Sequence, residues 1–252
     1  MNNFLEYARY YDLLYADKNY KVEADYVDSL IRRYSARSNK NLLDIGCGTG
    51  GHALWFVKKG YAVTGLDSSR AMVSIARKRF SGEKRLEFSV QDAASFDLGR
   101  KFDIAVSLFH VMSYLTSNAT LIGSLKNIHR HLRDRGLFIF DFWYGPAVIT
   151  QRPKIRIKNL RSKEFMIKRT ATPRINFNND SVDIHYSLSI KSKKNNSVRR
   201  ISEQHKLRYF FLPELYLALG IAGFKVVKCL KWLSFKEEVS EKSWSALIIA
   251  KK

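Results

Sequence analysis

The chain has 252 residues, 46% hydrophobic and 13% aromatic, which suits one large buried core and excludes a disordered segment. Two cysteines, Cys47 and Cys229, exclude a disulfide framework and a cysteine-rich zinc site, and point to a reducing, cytoplasmic compartment. No apolar run reaches the roughly 18 residues of a membrane span, Glu6, Arg9 and Asp12 stand where a signal peptide would be apolar, and the net charge of +21 selects for an anionic partner or a solvated lysine-rich face.

Leu42–Ile45 is a short apolar run ending at Gly46 and reads as a buried strand. Gly51 to Lys59 follows with helical spacing. Tyr61 to Leu66, closed by Asp67, is a second strand, and Ser69 to Arg79 a second helix. Leu86–Val90 alternates as a third strand, and Phe102 to Leu108 is a nearly continuous apolar fourth. Asn118 to Arg133 carries Leu121, Leu125, Ile128 and Leu132 on one side; Gly136 is expected to end it with a left-handed cap. Leu137 to Phe142 is a fifth strand. Strand alternating with helix predicts an α/β fold, a doubly wound Rossmann-like, mostly parallel sheet of seven strands.

After Phe142 the pattern breaks at Gly145, Pro146 and Pro153. Three β-rich stretches follow, near 165–175, 182–191 and 198–211. Asn178-Asn179-Asp180 and Lys193-Lys194-Asn195-Asn196 between them suit hairpin turns. Residues 151–210 are therefore expected to form an antiparallel β insertion, a substrate-binding or lid element, within a core made of 1–150 and 211–252. The insertion holds 16 Lys and Arg against 4 Asp and Glu, a net of +12. Leu212 to Ala222 returns to helix with Gly223 as its cap, and 224–232 and 244–250 read as closing strands.

The loop Asp44-Ile45-Gly46-Cys47-Gly48-Thr49-Gly50-Gly51 sits between the first strand and the first helix. Gly46, Gly48 and Gly51 satisfy G-x-G-x-x-G, a dinucleotide pattern that is weak alone. Asp44 decides against a dinucleotide. A carboxylate there repels a pyrophosphate and attracts a ligand bearing an ammonium and a sulfonium, which is S-adenosylmethionine. Asp67 stands at the end of the second strand, ~20 residues beyond the middle glycine, where an acid accepts both ribose hydroxyls. Asp92, after the third strand, is placed to accept from an adenine amino group; a helix N-cap is the plainer role for either acid. His129-x-His131 is the one close histidine pair, so a metal site has no support.

These motifs, LLDIGCGTG at 42–50, VTGLDSSRAM at 63–72, QDAASF at 91–96, FDIAVSLFHVMSYL at 102–115 and GLFIFDFWYGP at 136–146, resemble those of the class I S-adenosylmethionine-dependent methyltransferases. Within that group the chain is similar to the N-methyltransferases of nucleotide-linked amino sugars, through YDLLYADKNYKVEADYV at 11–27, SYL at 113–115 and HKLRYFFLPEL at 205–215. The resemblance implies a cofactor site of Gly46, Gly48 and Gly50 at the methionine end, with Cys47 a small filler. Asp67 with Ser68 would lie at the ribose, Met72 on the adenine, and Asp92 with Ala93 at its amino group. Leu108 and Phe109 would form the floor. Tyr11, Tyr15 and Tyr20 would close over cofactor and acceptor as a lid, or pack a helix onto the sheet. Tyr11, Tyr114 and His110 are the candidates for taking a proton from the acceptor amine. Tyr15, Trp143 and Arg208 are the candidate substrate contacts, Arg208 for a phosphate. The run Asp141-Phe142-Trp143-Tyr144 departs from the Glu-Pro-Trp-Trp of some relatives, which bears on the substrate.

The expected activity is methyl transfer from S-adenosyl-L-methionine, leaving S-adenosyl-L-homocysteine, to an anionic small molecule such as a nucleotide sugar. An RNA methyltransferase and an O-methyltransferase are the alternatives. The charge favours nucleic acid, whereas Ser107-Leu108-Phe109-His110 lacks the Asn/Asp-Pro-Pro-aromatic element used on extruded bases. A homodimer stays open.

Overall fold

Strands that are apolar along their whole length need cover on both faces, and the chain supplies it with helices. A computed structural model describes residues 7–35 and 40–252; Glu6 lies outside them. Two helices, α1 (Ala8–Leu14) and α2 (Tyr20–Tyr34), precede β1 (Asn41–Ile45), α3 (Gly51–Lys58), β2 (Ala62–Asp67), α4 (Arg70–Arg79), β3 (Leu86–Val90) and β4 (Phe102–Ser107). A 3₁₀ turn at Val111–Tyr114 leads to α5 (Asn118–His131), β5 (Leu132–Trp143) and α6 (Gly145–Gln151). Four strands follow, β6 (Arg156–Arg161), β7 (Phe165–Asn176), β8 (Ser181–Ser192) and β9 (Val198–Arg208). Then α7 (Leu212–Ile221), β10 (Lys225–Lys231) and β11 (Ser245–Lys251) close the chain.

The main sheet has seven strands in the order β10-β11-β5-β4-β1-β2-β3, with β11 antiparallel to both neighbours and the other pairings parallel. Leu42, Ile104 and Leu137 face one apolar cluster with Val27 of α2, Phe56 of α3 and Val73 of α4. Leu43, Ala105 and Phe138 face another with Leu125 of α5 and Leu215 of α7. Strand order reverses between β1 and β4, and a crevice opens beyond their carboxyl ends.

The second sheet, β6-β7-β8-β9, is antiparallel throughout, as the insertion was expected to be. Asp180 and Asn196 take positive φ (46° and 56°) in its two turns. Its inner face packs Ile167, Leu188, Ile190 and Ile201 on Tyr7, Tyr10 and Leu14 of the first helical segment. The tyrosine-rich helix therefore lies on the antiparallel sheet. Asp12 ties it back to the core, accepting from Thr49 Oγ1 at 2.7 Å and pairing with Arg79.

Three local expectations fail. Gly136 is not left-handed; Arg135 is (φ 62°), and β5 begins at Leu132 with a bulge before Leu137. The glycine serves close approach instead, since a Cβ there would sit 2.7 Å from the Arg133 carbonyl oxygen. Gly145-Pro146 does not break the chain but starts α6, because proline at the first turn forfeits no helical hydrogen bond. The antiparallel insertion has a fourth strand beyond the three expected: Arg156–Arg161 is an edge strand whose exposed Ile157 and charged neighbours gave no clean alternation.

Candidate active site

A cavity of about 580 Å³ runs from the crevice of the main sheet to the inner face of the antiparallel sheet. Its first end is the glycine loop. Gly48 has φ +54° and nothing within 4 Å of where a Cβ would stand, so its bare face gives room to a ligand. Gly46 serves packing, for its Cβ would meet Val111 at 2.4 Å.

Asp67 is tied on both oxygens: Gly48 N–H donates to Oδ2 at 2.9 Å and Ser69 N–H to Oδ1 at 2.8 Å. Burial raises its pKa against those two bonds. Each oxygen keeps a second lone pair for a hydroxyl. Asp92 accepts from Ala94 N–H at 2.7 Å within a turn, with no helix there for it to cap, and also lines the cavity. Ser68, Met72, Ala93, Leu108 and Phe109 complete this end with Cys47, whose thiol is free and pushed up by burial.

Asp44 lies beneath the loop and not in the cavity wall. It is 2% exposed, its Oδ2 has no hydrogen-bond partner, and burial, then the charge of Asp67, push its carboxyl up to about 7. An orphaned buried carboxylate oxygen beside an open glycine face fits a cationic ligand and opposes a phosphate.

The middle of the cavity holds His110. Its Nδ1 lies 2.8 Å from Asp141 Oδ2, off the line a hydrogen bond needs, while its N–H donates to Oδ1 at 3.0 Å. Burial would raise the Asp141 carboxyl, but the His110 contacts hold it below the usual range. Phe109 and His110 both take positive φ (70° and 62°), a strain of about 1–3 kcal/mol each held at the cavity wall.

The far end is aromatic. Tyr11, Tyr15, Tyr114 and Trp143 reach it, joined by Tyr7, Tyr186 and His205, which sequence reasoning missed, while Tyr20 lines the cavity beside Gly51 at the glycine end. Arg169 of β7 stands behind this wall and donates from one guanidinium nitrogen to Tyr7 Oη at 3.1 Å and Tyr15 Oη at 3.2 Å. It stacks within 5.5 Å of the rings of Tyr15 and Tyr186, and its Nε is buried without an acceptor. No carboxylate pairs with it among the described residues.

Two expected residues lie elsewhere. Gly50 caps α3 with φ +81°, its α-carbon covered by Phe80 and Phe88, off the cavity wall. Arg208 also lies off the wall. It donates to Asn118 Oδ1 and to Glu214 Oε2, both at 2.7 Å, so the charge reserved for a phosphate is spent inside the fold. No lysine or arginine of the insertion lines the cavity among the described residues, and Lys168, Arg174, Lys191, Arg200 and Lys206 are exposed on the outer face.

A family model described as a methyltransferase domain matches residues 42–136. The chain is 28% identical over 224 residues, 88% of its length and 91% of the other's, to dTDP-3-amino-3,4,6-trideoxy-alpha-D-glucopyranose N,N-dimethyltransferase of Streptomyces venezuelae. It is 26% identical over 223 residues, 88% and 84% of the two chains, to dTDP-3-amino-3,6-dideoxy-alpha-D-glucopyranose N,N-dimethyltransferase of Streptomyces fradiae. The crystal structure of Streptomyces venezuelae DesVI superposes with a TM-score of 0.81 at 25% identity over 98% of both chains. With a glycine crevice suited to a cationic nucleoside, a methyltransferase domain at 42–136 and these likenesses over most of its length, the chain is an S-adenosylmethionine-dependent methyltransferase enzyme.

Proposed function

We propose that the enzyme methylates the amine of a nucleotide-linked amino sugar, with the cofactor at the glycine end of the cavity and the acceptor at the tyrosine end. When bound, S-adenosylmethionine supplies an already activated methyl on a sulfonium, so the protein's part is alignment more than acid–base power. Gly46, Cys47 and Gly48 hold the methionine end, Asp67 and Ser68 the ribose, and Met72, Asp92 and Ala93 the adenine. Tyr20, whose ring packs on the bare face of Gly51, closes this end over the floor of Leu108 and Phe109.

The observation that carries the acceptor reading is Arg169, a guanidinium held by tyrosine hydroxyls and rings with no carboxylate to neutralise it. A cation left uncompensated beside a cavity favours an anionic guest, and an arginine fork suits a phosphate. Arg169 therefore takes the place that sequence gave to Arg208. Tyr15 and Trp143 flank the sugar, and Tyr11, Tyr114 and His110 face its amine. A cytoplasmic setting goes with this reading, since Cys47 and Cys229 are both free thiols. Among the described residues no helix is long and apolar enough to cross a membrane.

The reading is tested by following labelled methyl from S-adenosylmethionine into dTDP-3-amino-3,6-dideoxy-alpha-D-glucopyranose and, in parallel, into total RNA. Label in the sugar nucleotide is expected. Label in RNA alone would assign the outward basic face to a polynucleotide and overturn the reading.

A further inference from the structure

Methylation makes the acceptor nitrogen acidic. The amine's lone pair forms the N–C bond, the electrons of the broken C–S bond stay on sulfur, and the nitrogen becomes an ammonium. One N–H proton must leave before that nitrogen can accept a second methyl. We propose that this proton leaves through a relay of Tyr114, His205 and Glu203, in which Tyr114 meets the amine, His205 takes the proton behind it and Glu203 positions His205. The relay rests on the acceptor reading above.

Period-two alternation along β9 turns Ile201, Glu203, His205 and Leu207 to the inner face of the antiparallel sheet. His205 is 2% exposed, and both ring nitrogens are engaged. Nε2 lies 3.1 Å from Glu203 Oε2 and Nδ1 lies 2.8 Å from Tyr114 Oη. A carboxylate only accepts, so the ring hydrogen sits on Nε2, and Nδ1 offers its lone pair to the Tyr114 hydroxyl. Glu203 is anchored in turn, its Oε1 accepting from Tyr7 N–H at 3.2 Å. Cavity hydroxyl, imidazole and carboxylate thus stand in the order used wherever a base is held in one tautomer by an acid behind it.

The direction of proton flow follows. Burial holds the Tyr114 hydroxyl well above the ordinary phenol range, with the charges of Asp67 and Glu203 adding to it, so no standing tyrosinate serves as base. Tyr114 therefore passes a proton on: it accepts the ammonium hydrogen as its own crosses to His205 Nδ1, leaving an imidazolium against Glu203. Among the described residues, Tyr7 from the chain entering α1 and Tyr186 from β8 also face His205, both raised by burial and neutral at working pH. Glu203 supplies the counter-charge.

The experiment compares wild type, Glu203→Gln and Tyr114→Phe with S-adenosylmethionine and dTDP-3-amino-3,6-dideoxy-alpha-D-glucopyranose across the pH range. It reads kcat, KM and the ratio of mono- to dimethyl product, with S-adenosylhomocysteine affinity and a thermal melt as checks on the fold. Tyr114→Phe keeps the ring and is expected to lower kcat about 10²-fold. Glu203→Gln is expected to lower kcat about tenfold or more with KM unchanged. Its acidic limb moves to lower pH, because the imidazolium has lost its counter-charge, and monomethyl product accumulates. A folded Glu203→Gln with wild-type kcat and an unmoved limb overturns the relay, as does a fully active Tyr114→Phe; should Glu203→Gln not fold, Tyr114→Phe decides. Wild type that binds S-adenosylhomocysteine yet methylates no sugar amine overturns the acceptor reading, and the relay with it.

Discussion

The glycine end of the cavity and the tyrosine end differ in what builds them. At the first, a strand end and a turn of left-handed glycines leave one backbone face bare, with Asp67 on the cavity wall and Asp44 buried beneath the loop. At the second, a helix from before the sheet and strands from an insertion after it bring side chains together across the whole sequence, as in Tyr7 with Arg169 and Tyr114 with His205. The first is a property of the fold and suits one cofactor. The second can be refashioned residue by residue, and is where acceptor choice belongs.

Substitutions at the two ends should therefore separate cleanly. The largest effect is expected from Gly48→Val, which forces a branched residue to φ +54° and fills the open face. Calorimetry should show cofactor affinity down by more than about 10²-fold. Asp67→Ala should weaken it by about 10–100-fold, the range for hydrogen bonds to a charged group, with acceptor binding to the remaining folded protein intact. Arg169→Met should do the reverse, raising the acceptor KM about tenfold while S-adenosylhomocysteine still binds. Arg208→Ala should lower thermal stability, by freeing Glu214 and Asn118, and leave the acceptor KM alone. An acceptor KM moved by Arg208→Ala and not by Arg169→Met would invert the comparison.

The smallest effect is one of pH. The carboxyl of Asp44 sits at about 7 in the unliganded fold, above its unfolded value of 3.8, so it is protonated below neutrality. It opposes folding increasingly as pH rises from about 4 to 7, because the folded chain then binds the extra proton. A cationic ligand needs the ionised form. Affinity for S-adenosylmethionine should fall as pH drops below about 7 and level off above it, while affinity for the uncharged-sulfur product S-adenosylhomocysteine should change less. Parallel curves for the two would remove Asp44 from the account.

Legibility in the sequence follows the same division. The parallel core could be read because each of its signals is local: an apolar run, a glycine, an acid at a strand end. Gly46, Gly48, Asp67, Met72 and Asp92 all reach the expected cavity, or the loop under it, from such signals. Gly50 misled because three left-handed glycines look alike in sequence, and only packing tells that Phe80 and Phe88 cover one of them. Arg208 misled because Glu214, which neutralises it, lies beyond the turn into α7. Arg169 was one of many cations, and nothing local says that the register of β7 turns it inward while Lys168 points out. Glu203 and His205 could have been found, since their alternation with Ile201 and Leu207 already puts them on one face.

The most direct test of the two-ended cavity is calorimetric titration of dTDP into the enzyme saturated with S-adenosylhomocysteine. The account predicts that dTDP binds without displacing the nucleoside and that this heat is lost in Arg169→Met. Displacement of S-adenosylhomocysteine by dTDP, or binding unchanged in Arg169→Met, would contradict it.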